Sequence, residues 1–483
     1  MRQRNRKTTR GSDIPVPCFS DRSGELTIHD RYNLFSTPIF VVCEPYLAKP
    51  YYYRWFGRCQ DDGSAANAEL HSILEVVHEW GAMTGARNRH LIWLSGQTWD
   101  CVTGSDRSMA VALSEHAPLL WVDAPASPVT RSVSGYTQML AHTQPRIHRL
   151  SDRITRLTTV ALPGMTRPGV RSTTPRMVRA QIKWAMRQLQ IEPAAVIMGY
   201  LGDLLGGWGD GVVNVLYGTD DWVAGAQLTG MSVRNLLVRE GRALANADVI
   251  ITVTPQLAER WAGLGSSAVV IPNGCWPDNG EAPPPLPSAL ASLPRPSVGY
   301  IGYLGHRVDM NILMSIAETE FSLLLVGERD LRWEPLRFQQ LIAQPNVTYV
   351  GPAPSSEVRA YMSGIDVGIT PYSFSQFNLA SFPLKTLEYL GSGIPVVSSG
   401  LPASHWLRKD LSEKLPDTAA DQVLALADTP AEFVSTIRKL LGDGTDPSNI
   451  HAKSCISFAE CHSWPQRAAT FAAALGLGAR ADS

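Results

Sequence analysis

Lys385 and Glu388 lie three residues apart in the segment FNLASFPLKTLEYLGSGIPVVSS, residues 377–399. A spacing of three puts both on one face of a helix. The segment predicts such a helix: Pro383 suits a first turn, where its missing N–H does no harm, and Gly391 and Gly393 end it before the apolar run IPVV. A helix amino terminus at the edge of a parallel sheet presents unpaired N–H groups and a partial positive charge, which suits phosphate. A cation that neutralises a diphosphate and a carboxylate that accepts two ribose hydroxyls are the charges a bound nucleotide sugar needs. Lys385 is the only lysine between Lys183 and Lys409 in a chain of 8 Lys and 35 Arg. Taken alone, the pair is equally an ordinary ion pair on a surface helix.

The elements that would position such a site alternate along the chain. LIWLS (91–95), LLWV (119–122), AVIM (195–198), VVNVLY (212–217), VIITV (249–253) and AVVI (268–271) read as buried parallel strands, with helical patterns over 175–190, 231–246 and 255–263. Residues 277–296 hold seven prolines and read as a stiff linker. A second series follows: SVGYIG (297–302), FSLLLVG (321–327), VTYVG (347–351), VGIT (367–370) and IPVVSS (394–399). The expected architecture is α/β, two doubly wound domains over 89–276 and 297–460, with ligands at the carboxyl ends of the strands in the cleft between them. Residues 461–483 hold one last helical stretch. Residues 1–88 form an extension of unassigned role, containing YYYRWFGR (51–58) and an amphipathic pattern of Leu70, Ile73, Leu74, Val77 and Trp80.

Composition narrows the classes. With 483 residues, 44% apolar and 18% charged, the chain is neither disordered nor a polytopic membrane protein. Seven cysteines without a C-x-x-C pair indicate neither a zinc site nor a disulfide framework, and fit a reducing cytosol. The five basic residues among the first ten are followed by no signal-peptide apolar core, and no run is long enough to span a bilayer.

The 377–399 segment resembles the donor-binding signature of GT-B glycosyltransferases, family 4-like enzymes of the glycosyl transferases group 1 type, in the subgroup whose pattern is P-L-K-x-x-E-Y-x-x-x-G-x-P-V-V. Pro383, Leu384, Lys385, Glu388, Tyr389, Gly393, Pro395, Val396 and Val397 match it. TDDW (219–222), ANADVIITVTPQLAERW (245–261), VVIPNG (269–274), GYIGYLGHRVD (299–309), PNVTYVGPAP (345–354) and DVGITPY (366–372) extend the similarity over about residues 89–478. The resemblance implies two Rossmann-like domains, the second binding a nucleotide diphosphate sugar, and a final helix that crosses back to the first. It makes Glu388 the ribose ligand and Lys385 a diphosphate contact, with Arg307 a second cation and Gly302 and Gly305 admitting the phosphates to the backbone. The base would rest against Gly351 and Tyr372. Many relatives carry a Glu eight residues before the ribose ligand; here that position is Ala380, with Asn378 and Ser381 beside it. GYIGYLG lacks the spacing of a dinucleotide fingerprint, which sets aside a nicotinamide enzyme.

Asp220 and Asp221 follow VVNVLY at the cleft edge of the first domain. Either is a candidate general base or acceptor ligand, and either is also an ordinary capping aspartate. Trp99, Asp100 and Arg107 are weaker candidates for acceptor contact, on a W-D…R arrangement found in relatives. No D-x-D motif stands at a strand end, so no obligatory metal or other cofactor is expected. Residues 145–187 carry nine Arg and Lys183 against Asp152, a local charge of +9 within a net −1. A solvated helix face explains part of it; contact with anionic lipid, which a polyprenyl-linked acceptor would bring to that side, is the alternative. No nucleic-acid-binding module accompanies the charge. The expectation is a cytoplasmic glycosyltransferase, peripheral at the inner face of the plasma membrane, acting on a cell-surface polysaccharide or lipid-linked glycan precursor. A non-catalytic nucleotide-sugar-binding subunit and a GT-B-fold epimerase are the alternatives.

Overall fold

A computed structural model describes residues 89–101, 103–127, 144–164, 167–278, 285, 287, 290, 293–442 and 451–477. The N-terminal extension with its amphipathic pattern, and most of the proline-rich linker, lie outside the described residues.

The first lobe runs β1 (Arg89–Leu94), α1 (Ser105–Leu113), β2 (Leu119–Val122), β3 (Arg146–Arg149), β4 (Ile154–Thr158), α2 (Pro168–Leu189), β5 (Glu192–Met198), β6 (Val213–Gly218), α3 (Ala226–Thr229), α4 (Val233–Ala245), β7 (Val249–Thr252), α5 (Pro255–Ala262) and β8 (Val269–Val270). The sheet order is β3-β4-β2-β1-β5-β6-β7-β8, parallel except for the β3–β4 pair. Its central strands are apolar without alternation because helices cover both faces. Ile92, Leu94, Val196 and Leu216 share one core with Val178 and Ile182 of α2, Leu236 of α4 and Trp261 of α5. Leu91, Trp93 and Tyr217 face the other way, against Met109 and Leu113 of α1.

The basic block proves to be an edge β-hairpin followed by a helix, rather than a helix face throughout. RIHR and ITRLT are too charged to read as core strands, and they close the sheet edge, where arginines discourage further pairing. Several of the block's cations are used internally. Arg153 donates to the carbonyls of Ser114 and Glu115, Arg156 pairs with Asp123 and Asp100, and Arg179 caps the Leu204 and Gly206 carbonyls over the Trp208 ring. Arg167, Arg171, Arg176, Lys183 and Arg187 are exposed.

The second lobe runs β9 (Ser297–Ile301), α6 (Met310–Ala317), β10 (Ser322–Val326), α7 (Pro335–Ile342), β11 (Val347–Gly351), α8 (Val358–Met362), β12 (Val367–Thr370), α9 (Gln376–Leu379), α10 (Leu384–Gly391), β13 (Val396–Ser398), α11 (Pro402–Lys414), β14 (Leu424–Leu426), α12 (Pro430–Leu441) and α13 (Ala452–Glu460). Its sheet is wholly parallel, ordered β11-β10-β9-β12-β13-β14. α13 packs on α10, and the chain then recrosses so that α14 (Trp464–Ala474) lies on α1. Phe471 of α14 meets the rings of Trp93 and Tyr217 at 6.2 and 5.4 Å.

The two crossings are paired. The Cys275 N–H donates to the His462 carbonyl at 3.0 Å, and the Trp464 N–H donates to the Cys275 carbonyl at 2.9 Å. Gly274 sits so close that a Cβ there would stand 2.8 Å from the His462 carbonyl oxygen. His462 is fully buried between Asp410 and Arg467, and burial pushes its imidazole down to about 4. Among the described residues, no helix is long and apolar enough to cross a membrane.

Candidate active site between the lobes

The strand order of each sheet reverses at one place, between β1 and β5 in the first lobe and between β9 and β12 in the second. At such a place the loops leaving neighbouring strands part to opposite sides and open a crevice. In the second lobe the two loops are laced together. Val308 and Tyr372 form an antiparallel bridge, the Asp309 N–H donates to the Pro371 carbonyl at 2.8 Å, and the Ser373 N–H donates to the Arg307 carbonyl at 2.9 Å.

α10 is locked beside this crevice. The Tyr389 hydroxyl accepts the Ile301 N–H at the end of β9 at 2.6 Å, and the Thr386 and Thr370 hydroxyls meet at 3.2 Å. Thr386, Leu387, Tyr389 and Leu390 are thereby buried, which leaves Lys385 and Glu388 as the half-buried stripe of the helix. The two side chains are ion-paired to each other. Burial works against the Lys385 charge, but the Glu388 carboxylate more than offsets it and holds the ammonium above its ordinary range. Tyr372 also favours the Lys385 charge, and its ring lies 5.2 Å from the Arg307 guanidinium.

Arg307 is held on every side. Its guanidinium lies over the rings of Tyr372 and Phe377, the latter at 4.9 Å, and its Nε donates to Asn378 Oδ1 at 2.9 Å. Asn378, fully buried, returns Nδ2 to the Arg307 carbonyl at 2.9 Å and to the Ser373 carbonyl at 2.8 Å.

Gly302, Gly327 and Gly351 form a backbone rim along the carboxyl edge. The Gly302 N–H donates to Val326, and the Gly327 N–H donates to Gly351 at 2.8 Å. Only glycine fits at 327: its φ is +140°, and a Cβ would stand 1.9 Å from the Gly302 carbonyl oxygen. Gly305 is pressed by the Tyr303 ring, 2.7 Å from where its Cβ would be. Gly327 escaped the sequence reading because nothing in FSLLLVG marks it apart from other strand-end glycines.

Across the cleft, Asp220 and Asp221 diverge. The Asp221 Oδ1 accepts the N–H groups of Val223 and Ala224, and its Oδ2 faces Arg260 at 3.4 Å, which spends this buried carboxylate on a turn. Asp220 turns to the other lobe, where the Ser381 hydroxyl donates to its Oδ1 at 3.4 Å. Burial raises the Asp220 carboxyl, against the pull of Arg307. The 377–381 segment makes two further contacts with the first lobe. The Thr254 hydroxyl donates to the Ala380 carbonyl at 2.8 Å, and Phe377 packs so tightly on Gly225 that a Cβ there would fall 2.8 Å from its ring.

Trp99, Asp100 and Arg107 form a loop clasp. Arg107 covers the Trp99 ring at 4.5 Å and donates to the Trp99 carbonyl, while Asp100 pairs with Arg156. A residue that the sequence did not mark lies at the β1/β5 switch point. Asp106, in the first turn of α1, accepts from Trp93 Nε1 and Ser95 Oγ, both at 2.7 Å, and its carboxylate oxygen stands 2.2 Å from where a Cβ on Gly199 would be. Burial pushes Asp106 up to about 7, against both hydrogen bonds. A first-turn acid is common enough that only the assembled walls from β1 and β5 distinguish it. Among the described residues, no three His, Cys, Asp or Glu side chains converge to hold a metal.

Residues 295–443 match the family model described as glycosyl transferases group 1. The putative teichuronic acid biosynthesis glycosyltransferase TuaH of Bacillus subtilis (strain 168) is 34% identical over 151 residues, 31% of this chain and 36% of that protein. The chain therefore spans about a third of the length of this curated relative. Sucrose-phosphate synthase from Thermosynechococcus elongatus superposes with a TM-score of 0.56 at 17% identity, over 79% of this chain and 97% of the other. HepE of Anabaena, in a complex with UDP and glucose, does so with a TM-score of 0.53 at 13% identity, over 80% and 98%. The fold is GT-B, and residues 295–443 carry a glycosyl transferases group 1 domain.

Proposed function

We propose that this chain is a glycosyltransferase that moves a sugar from a nucleotide diphosphate donor to a cell-surface polysaccharide or lipid-linked glycan precursor. The observation that carries the reading is the grouping of Arg307, Tyr372, Lys385 and Glu388 at the β9/β12 switch point, beside the amino terminus of α10. Glu388 takes the ribose hydroxyls. As the sugar leaves, negative charge grows on the diphosphate, and Arg307, Lys385 and the helix N–H groups stabilise it where it develops. Donor binding gives Lys385 an anion other than Glu388, which frees the carboxylate for the ribose. Asp220, half-buried and facing the other lobe, serves the acceptor hydroxyl as base or ligand. On this reading these cations make a metal unnecessary, and transfer is expected to persist in EDTA.

TuaH's role in teichuronic acid biosynthesis supports a cell-envelope acceptor. A polyprenyl-linked acceptor at the inner face of the plasma membrane fits the basic surface within residues 145–187. The deciding experiment incubates purified protein with a panel of nucleotide sugars and candidate acceptors, reading nucleotide release beside calorimetric donor binding. Acceptor-dependent release supports transfer; donor binding without release under every acceptor makes the protein a binding subunit instead.

A further inference from the structure

α4 leaves apolar side chains in the open. It buries Leu236, Ala243 and Leu244, yet Val233 and Leu237 at the margin of that face and Val238 on the far side are each about half exposed, at 49%, 48% and 51%. The strip continues back through exposed Met231 and Leu228. A helix that keeps apolar residues on its outer face has a further apolar phase to meet. Its one acid is withdrawn from that face: Glu240 is 1% exposed and held by Arg260 at 2.6 and 2.7 Å and by Trp261 Nε1 at 2.9 Å. Arg234 and Arg242 are exposed beside the strip, Arg242 paired with Asp203.

α2 lies on the same face of the sheet, and both helices grip the 203–207 loop, Arg179 through the Leu204 and Gly206 carbonyls and Arg242 through Asp203. α2 begins after the carboxyl end of β4, and α4 after that of β6, the edge that also carries Asp220. The exposed Arg167 just before α2, Arg171 and Arg176 within it, and the apolar strip leading into α4 therefore lie toward that edge.

We propose that this strip, Leu228, Met231, Val233, Leu237 and Val238, inserts into the interfacial layer of an anionic lipid bilayer, with Arg234, Arg167, Arg171 and Arg176 against the headgroups. An apolar ridge with exposed arginines beside it complements such a surface. The inference rests on the proposed membrane-borne acceptor and adds which elements enter the membrane, so that the cleft opens toward it.

The test is sedimentation of the full chain with phosphatidylcholine vesicles, with and without 30 mol% phosphatidylglycerol. It compares wild type with Val233→Ser/Leu237→Ser/Val238→Ser, with Leu237→Ser alone and with Arg167→Gln/Arg171→Gln/Arg176→Gln. Wild type is expected to bind the anionic vesicles at least tenfold better than the neutral ones. The triple serine variant should lose at least tenfold, the single variant less, and the glutamine variant its preference for anionic lipid. Cooperative thermal unfolding and unchanged donor calorimetry establish that the variants are folded. Equal vesicle binding by wild type and triple serine variant, or no binding by wild type, overturns the proposal. So does a wild-type dimer in light scattering that the serine variant abolishes, which would make the strip an interface between copies. Vesicle binding without any donor binding would refute the transferase reading and leave this surface standing.

Discussion

Asn378 holds Arg307 at both ends, its Oδ1 taking the guanidinium Nε at 2.9 Å and its Nδ2 donating to the Arg307 carbonyl at 2.9 Å. The cation is thereby placed before any ligand arrives, with Tyr372 and Phe377 against it. A charge already in position pays no reorganisation when the leaving group departs.

Asn378→Ala is therefore expected to lower kcat by about 10- to 100-fold, roughly 1.4–2.7 kcal/mol, with a smaller change in KM. Steady-state kinetics separate the two. A rise in KM with kcat unchanged would mean that Asn378 serves donor binding alone.

Glu388→Ala should weaken donor binding by about 10- to 100-fold, the range for a lost hydrogen bond to a charged group. Lys385→Ala should chiefly slow turnover, since its partner would remain for the ribose. Calorimetry and initial rates on both variants check the assignment, and wild-type behaviour in both would refute it.

The adjacent aspartates should behave differently. Asp220→Asn is expected to abolish most transfer, and Asp221→Asn to lower thermal stability with turnover largely kept, because its oxygens serve a turn and Arg260. Burial raises the Asp220 carboxyl, so its charged form is lost at a higher pH than for a free aspartate as pH falls. The acid limb of the rate profile should therefore lie above the usual carboxylate range. Arg307→Gln removes the opposing cation and should move that limb higher still, in whatever activity remains.

Asp106 gives a stability signature. Its folded carboxyl titrates at about 7 against 3.8 for the free group, so the native state holds the extra proton between those values. Stability then falls as pH rises from about 4 to about 7, by at most about 1.4 kcal/mol per pH unit, and levels off above. Asp106→Asn imitates the protonated acid toward Trp93 and Ser95. It should flatten this dependence and unfold at higher denaturant than wild type at pH 8. Parallel stability curves for the two proteins would refute the assignment.

The alternation of strands and helices was legible because parallel strands covered on both faces must be continuous apolar runs, as LIWLS and SVGYIG are. RIHR and ITRLT were not, since an edge hairpin needs only Ile147, Ile154 and Leu157 to hold it and fills the rest with charge. LAL of β14 was too short to mark. Lys385 and Glu388 were readable because one short helix carries both. Asn378 acts on a residue 71 positions away, and Asp106 draws its surroundings from β1 and β5, so neither role exists until the sheets assemble. The aspartate pair was ambiguous for a related reason: Asp221 is told apart by Arg260, 39 residues on, and Asp220 by Ser381 of the other lobe.

The recrossing at His462 bears on how the chain is made. Phe471 of α14 closes on Trp93 and Tyr217, so the first lobe, although translated first, waits for a helix encoded after the whole second lobe. On the ribosome the second lobe has its own sheet and flanking helices complete by α13, while the older half still exposes an apolar face. A premature stop just before Trp464 would thus spare the newer half and leave the older one unfinished.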